Sequence, residues 1–243
     1  MSILAFTPLA LLIVLLGVLS RAQAYKEFPC FFIYTAFAVI ADIARFVVRN
    51  HFNLYFNVYW TTEAGYAILG IVVLYEVFCA VFRNLTRIWW FRLIFPSAVV
   101  FATALTFTRA HQLPVQIANR LMAWIVLGEL AVRFLQVSMF VLLVGLVALF
   151  GLRWRQYPFG ISAGFGLYAT IALLVTTKFS DLGTRYSFVW GVTLLVAYSI
   201  SILIWLWFFR SPVRPEPRPP ETFPLSLEDL GRYRDLMRRI RRQ

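Results

Sequence analysis

Apolar residues along this chain fill runs far longer than a period of two or of 3.6 residues requires. Seven such runs, 3–19, 30–48, 56–78, 93–107, 117–150, 159–179 and 188–209, are divided by short segments that hold most of the charge. A helix rises about 1.5 Å per residue and a bilayer core is about 30 Å thick, so each run is predicted to cross a membrane as a helix. Pro96 falls near the start of the fourth run, where a first helical turn tolerates it. The fifth run exceeds one bilayer thickness and must tilt or project.

The expected fold is therefore all-α: a polytopic membrane protein, a seven-transmembrane helix bundle over residues 1–210 with a tail at 211–243. Ala22-Gln23-Ala24 has the look of a signal-peptidase site. The segment before it carries no positive charge, and the apolar run is longer than a signal core, so the first run is read as a retained span.

The interruptions inside the runs carry the candidate chemistry. The second run holds Asp42 and Arg45, the third Glu63, and the fifth Glu129 and Arg133. Ionisable side chains at that depth are costly in lipid, so they are expected to face the bundle interior. Asp42 and Arg45 are three residues apart and Glu129 and Arg133 four, which permits pairing within each helix. Tyr59, Glu63, Tyr66 and Gly70 share one helical stripe, and Glu129, Arg133, Gln136 and Phe140 share another. The two stripes are predicted to face each other, with Tyr168 and Tyr198 supplying hydroxyls at mid-depth.

Three carboxylates and two guanidiniums leave one negative charge over. Arginine stays protonated, so a proton on one carboxyl or a bound cation is the expected relief. Glu63 has no base on its own helical face and is the candidate to carry that proton. The competing reading is a salt-bridge network that only locks the bundle. Glu76, nearer the far end of the third run, is expected to pair with loop arginines such as Arg83 or Arg153.

Composition agrees with membrane residence: 61% of residues are hydrophobic and 14% charged, and mean hydropathy is +0.75, outside the soluble range. The net charge of +12 is almost all arginine, since Lys26 and Lys178 are the only lysines. That excess lies in loops and tail, where topology and lipid headgroups account for it, so nucleic acid is not an expected partner. Counting basic loop residues by the positive-inside rule puts the N-terminus outside and the C-terminus in the cytoplasm. Cys30 and Cys79 then lie at cytoplasmic ends and are expected to be reduced.

The tail reads as a proline-rich spacer, 211–224, and a basic amphipathic helix, 226–242. Leu227, Leu230, Tyr233, Met237 and Ile240 fall on one face and most arginines on the other. Such a helix lies on a lipid surface, and docking a cytoplasmic protein partner is the sharper alternative. The oligomeric state is left open.

Several activities are disfavoured. A retinal pigment needs a lysine inside the last helix, and Lys178 is at the end of the sixth run. Two histidines are too few for a zinc hydrolase of several histidines, and no Ser-His-Asp set falls within the membrane. A bis-histidine haem site would need His51 and His111, but ordinary interfacial side chains account for both, so no cofactor is expected. The reading leans to a non-enzymatic sensor or receptor-like protein that binds a small or lipidic ligand, or protons, at the polar cluster. A proton-coupled transporter and a structural or accessory subunit of a membrane complex are the alternatives.

The phrases YFNVYWTTEAGYAILG, LYEVF and WRQYPFGISAGFGLYA resemble a family of bacterial seven-helix integral membrane proteins of acidobacterial type. The resemblance covers layout and these phrases over most of the chain. It implies an inner-membrane, multi-pass setting and assigns neither activity nor site residues.

Overall fold

The computed structural model describes residues 2–82, 93–110, 120–150, 156–182 and 187–210. Among them are seven α-helices: α1 (Ser2–Arg21), α2 (Pro29–Val48), α3 (Phe52–Val81), α4 (Ile94–Ala110), α5 (Arg120–Phe150), α6 (Gln156–Leu182) and α7 (Ser187–Arg210). Each overlaps one apolar run. Most continue a few residues beyond it, because a helix goes on satisfying its backbone hydrogen bonds after its side chains turn polar. Among the described residues four segments, Pro29–Val48, Phe52–Val81, Tyr157–Val175 and Phe188–Arg210, are long and apolar enough to cross a membrane, which points to a multi-pass membrane protein.

Three helices open on proline. Pro29 begins α2, and Pro96 and Pro158 sit in the first turns of α4 and α6, positions whose N–H has no intrahelical acceptor in any case. The turn from α1 to α2 contains Gln23 in the left-handed region at φ 53°. Its side-chain oxygen accepts a hydrogen bond from Lys26 Nζ at 2.7 Å.

In lipid, helices associate through close packing and buried hydrogen bonds, since the surrounding chains are as apolar as leucine. α1 packs on α2 and α7, α2 on α3, α3 on α5, and α6 on both α5 and α7. Phe31, Phe165, Trp205 and Phe209 are buried together where α2, α6 and α7 meet. Phe31 stacks on Phe209 with ring centres 5.6 Å apart and meets Trp205 edge-on at 5.2 Å. Glycine on α6 makes this closeness available. A Cβ at Gly164 would overlap the Trp205 indole, and one at Gly160 the Phe208 ring. Trp205 Nε1–H donates to the Ile161 carbonyl at 3.2 Å. A second buried cluster, with Leu74, Phe78, Phe95, Leu135 and Met139, joins α3, α4 and α5.

Glu76 has an unexpected partner. Its carboxylate accepts the Cys30 N–H at 2.9 Å and the Phe31 N–H at 3.0 Å. It thus caps the start of α2 from the neighbouring helix, where free N–H groups and the helix dipole favour an anion. Arg83 and Arg153, its expected partners, lie outside the described residues, as do the tail and His111. Cys30 and Cys79 are both free thiols.

Candidate functional site

The aromatic packing does not run the length of the bundle. Towards the end where α1, α3 and α7 begin and α2 finishes, the helices part around a cavity of about 750 Å³.

α2 and α3 supply its first charged pair. The spacing permits Arg45 to pair with Asp42 on its own helix; it turns to α3, and its Nη2 donates to Glu63 Oε1 at 2.9 Å. Its Nε donates to Thr62 Oγ1 at 2.8 Å. The Thr62 hydroxyl in turn bonds to the Val58 and Tyr59 carbonyls of the preceding turn, so the guanidinium rests on a group fixed by the helix itself. The guanidinium also lies over two tyrosine rings, 4.7 Å from the centre of Tyr59 and 5.5 Å from that of Tyr66. Two aromatic faces and a carboxylate compensate a cation held away from water. Both side chains are largely buried, at 19% exposure for Arg45 and 14% for Glu63, and both line the cavity wall.

α5 supplies the second pair. Arg133 Nη2 bonds to Glu129 Oε1 one turn earlier, the acid-first spacing read from the sequence. Arg133 lies 5.9 Å from the Tyr168 ring of α6. Gln136, one turn further on, is buried and also lines the cavity. A Cβ at Gly70 would touch Val132 and approach the Gln136 amide, so the α3 and α5 stripes meet there. Phe140, at the end of the α5 stripe, instead covers Gly166 of α6.

Asp42 lines the same wall and forms no ion pair among the described residues. Tyr168 and Tyr198 face one another with ring centres 5.6 Å apart, and the Tyr198 hydroxyl is buried without a hydrogen-bond partner. Asp42 and Arg45, Tyr59, Glu63 and Tyr66 of the α3 stripe, Glu129, Arg133 and Gln136 of the α5 stripe, and these two tyrosines all line one cavity, and Gly70 and Phe140 are not among its lining residues.

Three contributors escaped the sequence reading. Tyr34 lies on the face of α2 that carries Ala38, Asp42 and Arg45, and its ring meets that of Tyr66 at 5.8 Å. The steps 34, 38, 42 and 45 are a helical stripe, so periodicity on α2 would have found it. Phe6, Pro8 and Leu9 bring α1 to the wall, and no polar residue among them signals it. Arg49, which follows the last residue of α2, lines the cavity with its guanidinium 4.3 Å from the Phe46 ring centre. Counting Arg49, three guanidiniums and three carboxylates line the cavity.

His51 is exposed at the start of α3 and is not among the cavity residues. Among the described residues no group of three His, Cys, Asp or Glu side chains is arranged to hold a metal ion.

No protein-family model matches the chain, and no curated protein or solved structure is detectably similar to it.

Proposed function

We propose that this chain is a seven-span, receptor-like protein of a bacterial inner membrane, with its N-terminus outside, that binds a small or lipidic ligand in the cavity. The observation that carries this reading is the convergence of acids, arginines and tyrosines from five helices on one space of about 750 Å³. Ligand sites commonly occupy about 300–1,000 Å³ and combine an apolar wall with a few convergent polar groups. A lattice of salt bridges that merely locked the bundle would close on itself; here the charged pairs border open volume.

The other half of the bundle favours binding over passage. Beyond the cavity the described helices close on Val73, Val77, Ile161, Phe165, Ile202 and Trp205, all buried, with only the hydroxyls of Thr35, Ser162 and Ser201 and the amide of Gln136 buried among the described residues and no buried charge. Ligand occupancy would reach the cytoplasm through the long α5 and the basic tail, which docks a partner protein.

Gly191 supports a test. It lines the cavity, and a Cβ added there meets nothing within 4 Å, so Gly191→Trp begins in open space and is the variant chosen to obstruct the cavity. Native mass spectrometry of the protein from lipid nanodiscs should show a retained small molecule or an enriched lipid that this variant lacks. Identical spectra for the two proteins would overturn the ligand reading.

A further inference from the structure

The cavity's charges are unevenly committed. Arg45 is engaged by Glu63 and Thr62, and Arg133 by Glu129, with tyrosine faces covering both guanidiniums. Asp42 is left as the carboxylate without an ion-pair partner among the described residues. Arg49 lies two turns further along the same helix, about 10 Å on, exposed and spread over Phe46. It forms no ion pair with Asp42 among the described residues. The charge of Asp42 faces the cavity.

Arg45, one turn along α2, acts on Asp42 through space while its hydrogen bonds go to Glu63 and Thr62; a carboxylate in the interior of a membrane protein without a cation in contact is costly, and a bound cation offsets that cost. The surroundings of Asp42 select the kind of cation. Tyr34, Tyr66 and Tyr198 line the wall around it, and the Tyr198 hydroxyl has no partner. An inorganic ion would want several oxygen ligands converging on one point; no three-carboxylate cluster does so among the described residues. Tyrosine faces and hydroxyls beside a lone carboxylate suit an ammonium carried on an apolar body, since ring faces attract an alkylated cation and the cavity wall takes the remainder.

Resting on the ligand-binding reading above, we infer that the cavity's ligand is an organic amine, its ammonium held by Asp42 and its apolar body lying towards Gly191 and Leu194 of α7. The test uses purified protein in nanodiscs and three probes of one shape: 4-phenylbutylamine, 4-phenylbutanol and 4-phenylbutyrate. Affinity is read by calorimetry. The amine should bind most tightly, and Asp42→Asn should weaken it by about tenfold or more, as losing a charge-assisted contact does, while leaving the alcohol unchanged. Asp42→Glu, which keeps the charge, should recover most of the loss and shows that Asp42→Asn has not simply misfolded. Equal or tighter binding of the alcohol or the carboxylate, or an Asp42→Asn affinity within about twofold of the original, would overturn the amine assignment. Gly191→Trp separates the two readings: if it blocks a preferred carboxylate, the cavity binds ligand and only the amine is wrong. Probes that bind undisturbed by Gly191→Trp, or no binding of any probe, would count against both.

Discussion

Two halves of the same helices behave differently. In α2, Phe31 sits among the rings of Phe165, Trp205 and Phe209, and three turns later Asp42 and Arg45 face open volume. In α3, Val73 and Val77 are fully buried while Tyr59 and Glu63 line the cavity. In α7, Ile202 and Trp205 belong to the packed half, and Gly191, Leu194 and Tyr198 to the other. Polarity thus changes along each helix axis as well as around its circumference. A soluble helix is sorted by which side faces water; a spanning helix has no wet side, and depth becomes the coordinate that separates packing from chemistry.

That contrast can be broken from either end. Trp205→Ala should cost most, about 3–5 kcal/mol, because it opens a void between α2, α6 and α7 and removes the bond to Ile161. Unfolding in mixed micelles measures it, and a loss below about 1 kcal/mol would mean the ring cluster is not what holds that half together. Next comes Glu63→Gln, which strands Arg45 beside the cavity at about 2–3 kcal/mol. Combined with Arg45→Gln it should cost less than the sum of the single changes, with a coupling of about 1–3 kcal/mol. Strict additivity would deny that the two side chains act as a pair.

Glu76→Ala should cost about 1–3 kcal/mol by leaving the Cys30 and Phe31 N–H groups without their acceptor, and Glu76→Gln, which keeps one oxygen, should cost less. Amide exchange at the start of α2 reads this directly and should accelerate in the alanine variant. Smallest is Gly191→Leu, within about 0.5 kcal/mol in stability while still obstructing the cavity. A large loss of stability there would mean the space is not open.

Hydropathy alone locates each of the seven helices among the described residues, since every one of them overlaps a long apolar run. Helix ends are less legible: the run at 56–78 becomes a helix over Phe52–Val81, because Phe52 to Tyr55 and Cys79 to Val81 continue the backbone pattern with no change of period. Side-chain stripes on α3 and α5 were readable because Glu63, Glu129 and Arg133 interrupt apolar surroundings. Partners were not. Within a helix, spacing ties Arg45 to Asp42, yet a guanidinium on a long stem can equally reach the adjacent helix, and only the α2–α3 packing decides for Glu63. The same limit applies to Glu76, whose acceptors are backbone groups that no residue type announces.

The Glu76 cap and the Arg45–Glu63 pair both join α2 to α3, and they stand thirteen residues apart on α3, about 20 Å along its axis. Two struts that far apart resist both sliding and splaying. α2 and α3 are therefore clamped to each other at two depths, a coupling that neither contact would give alone.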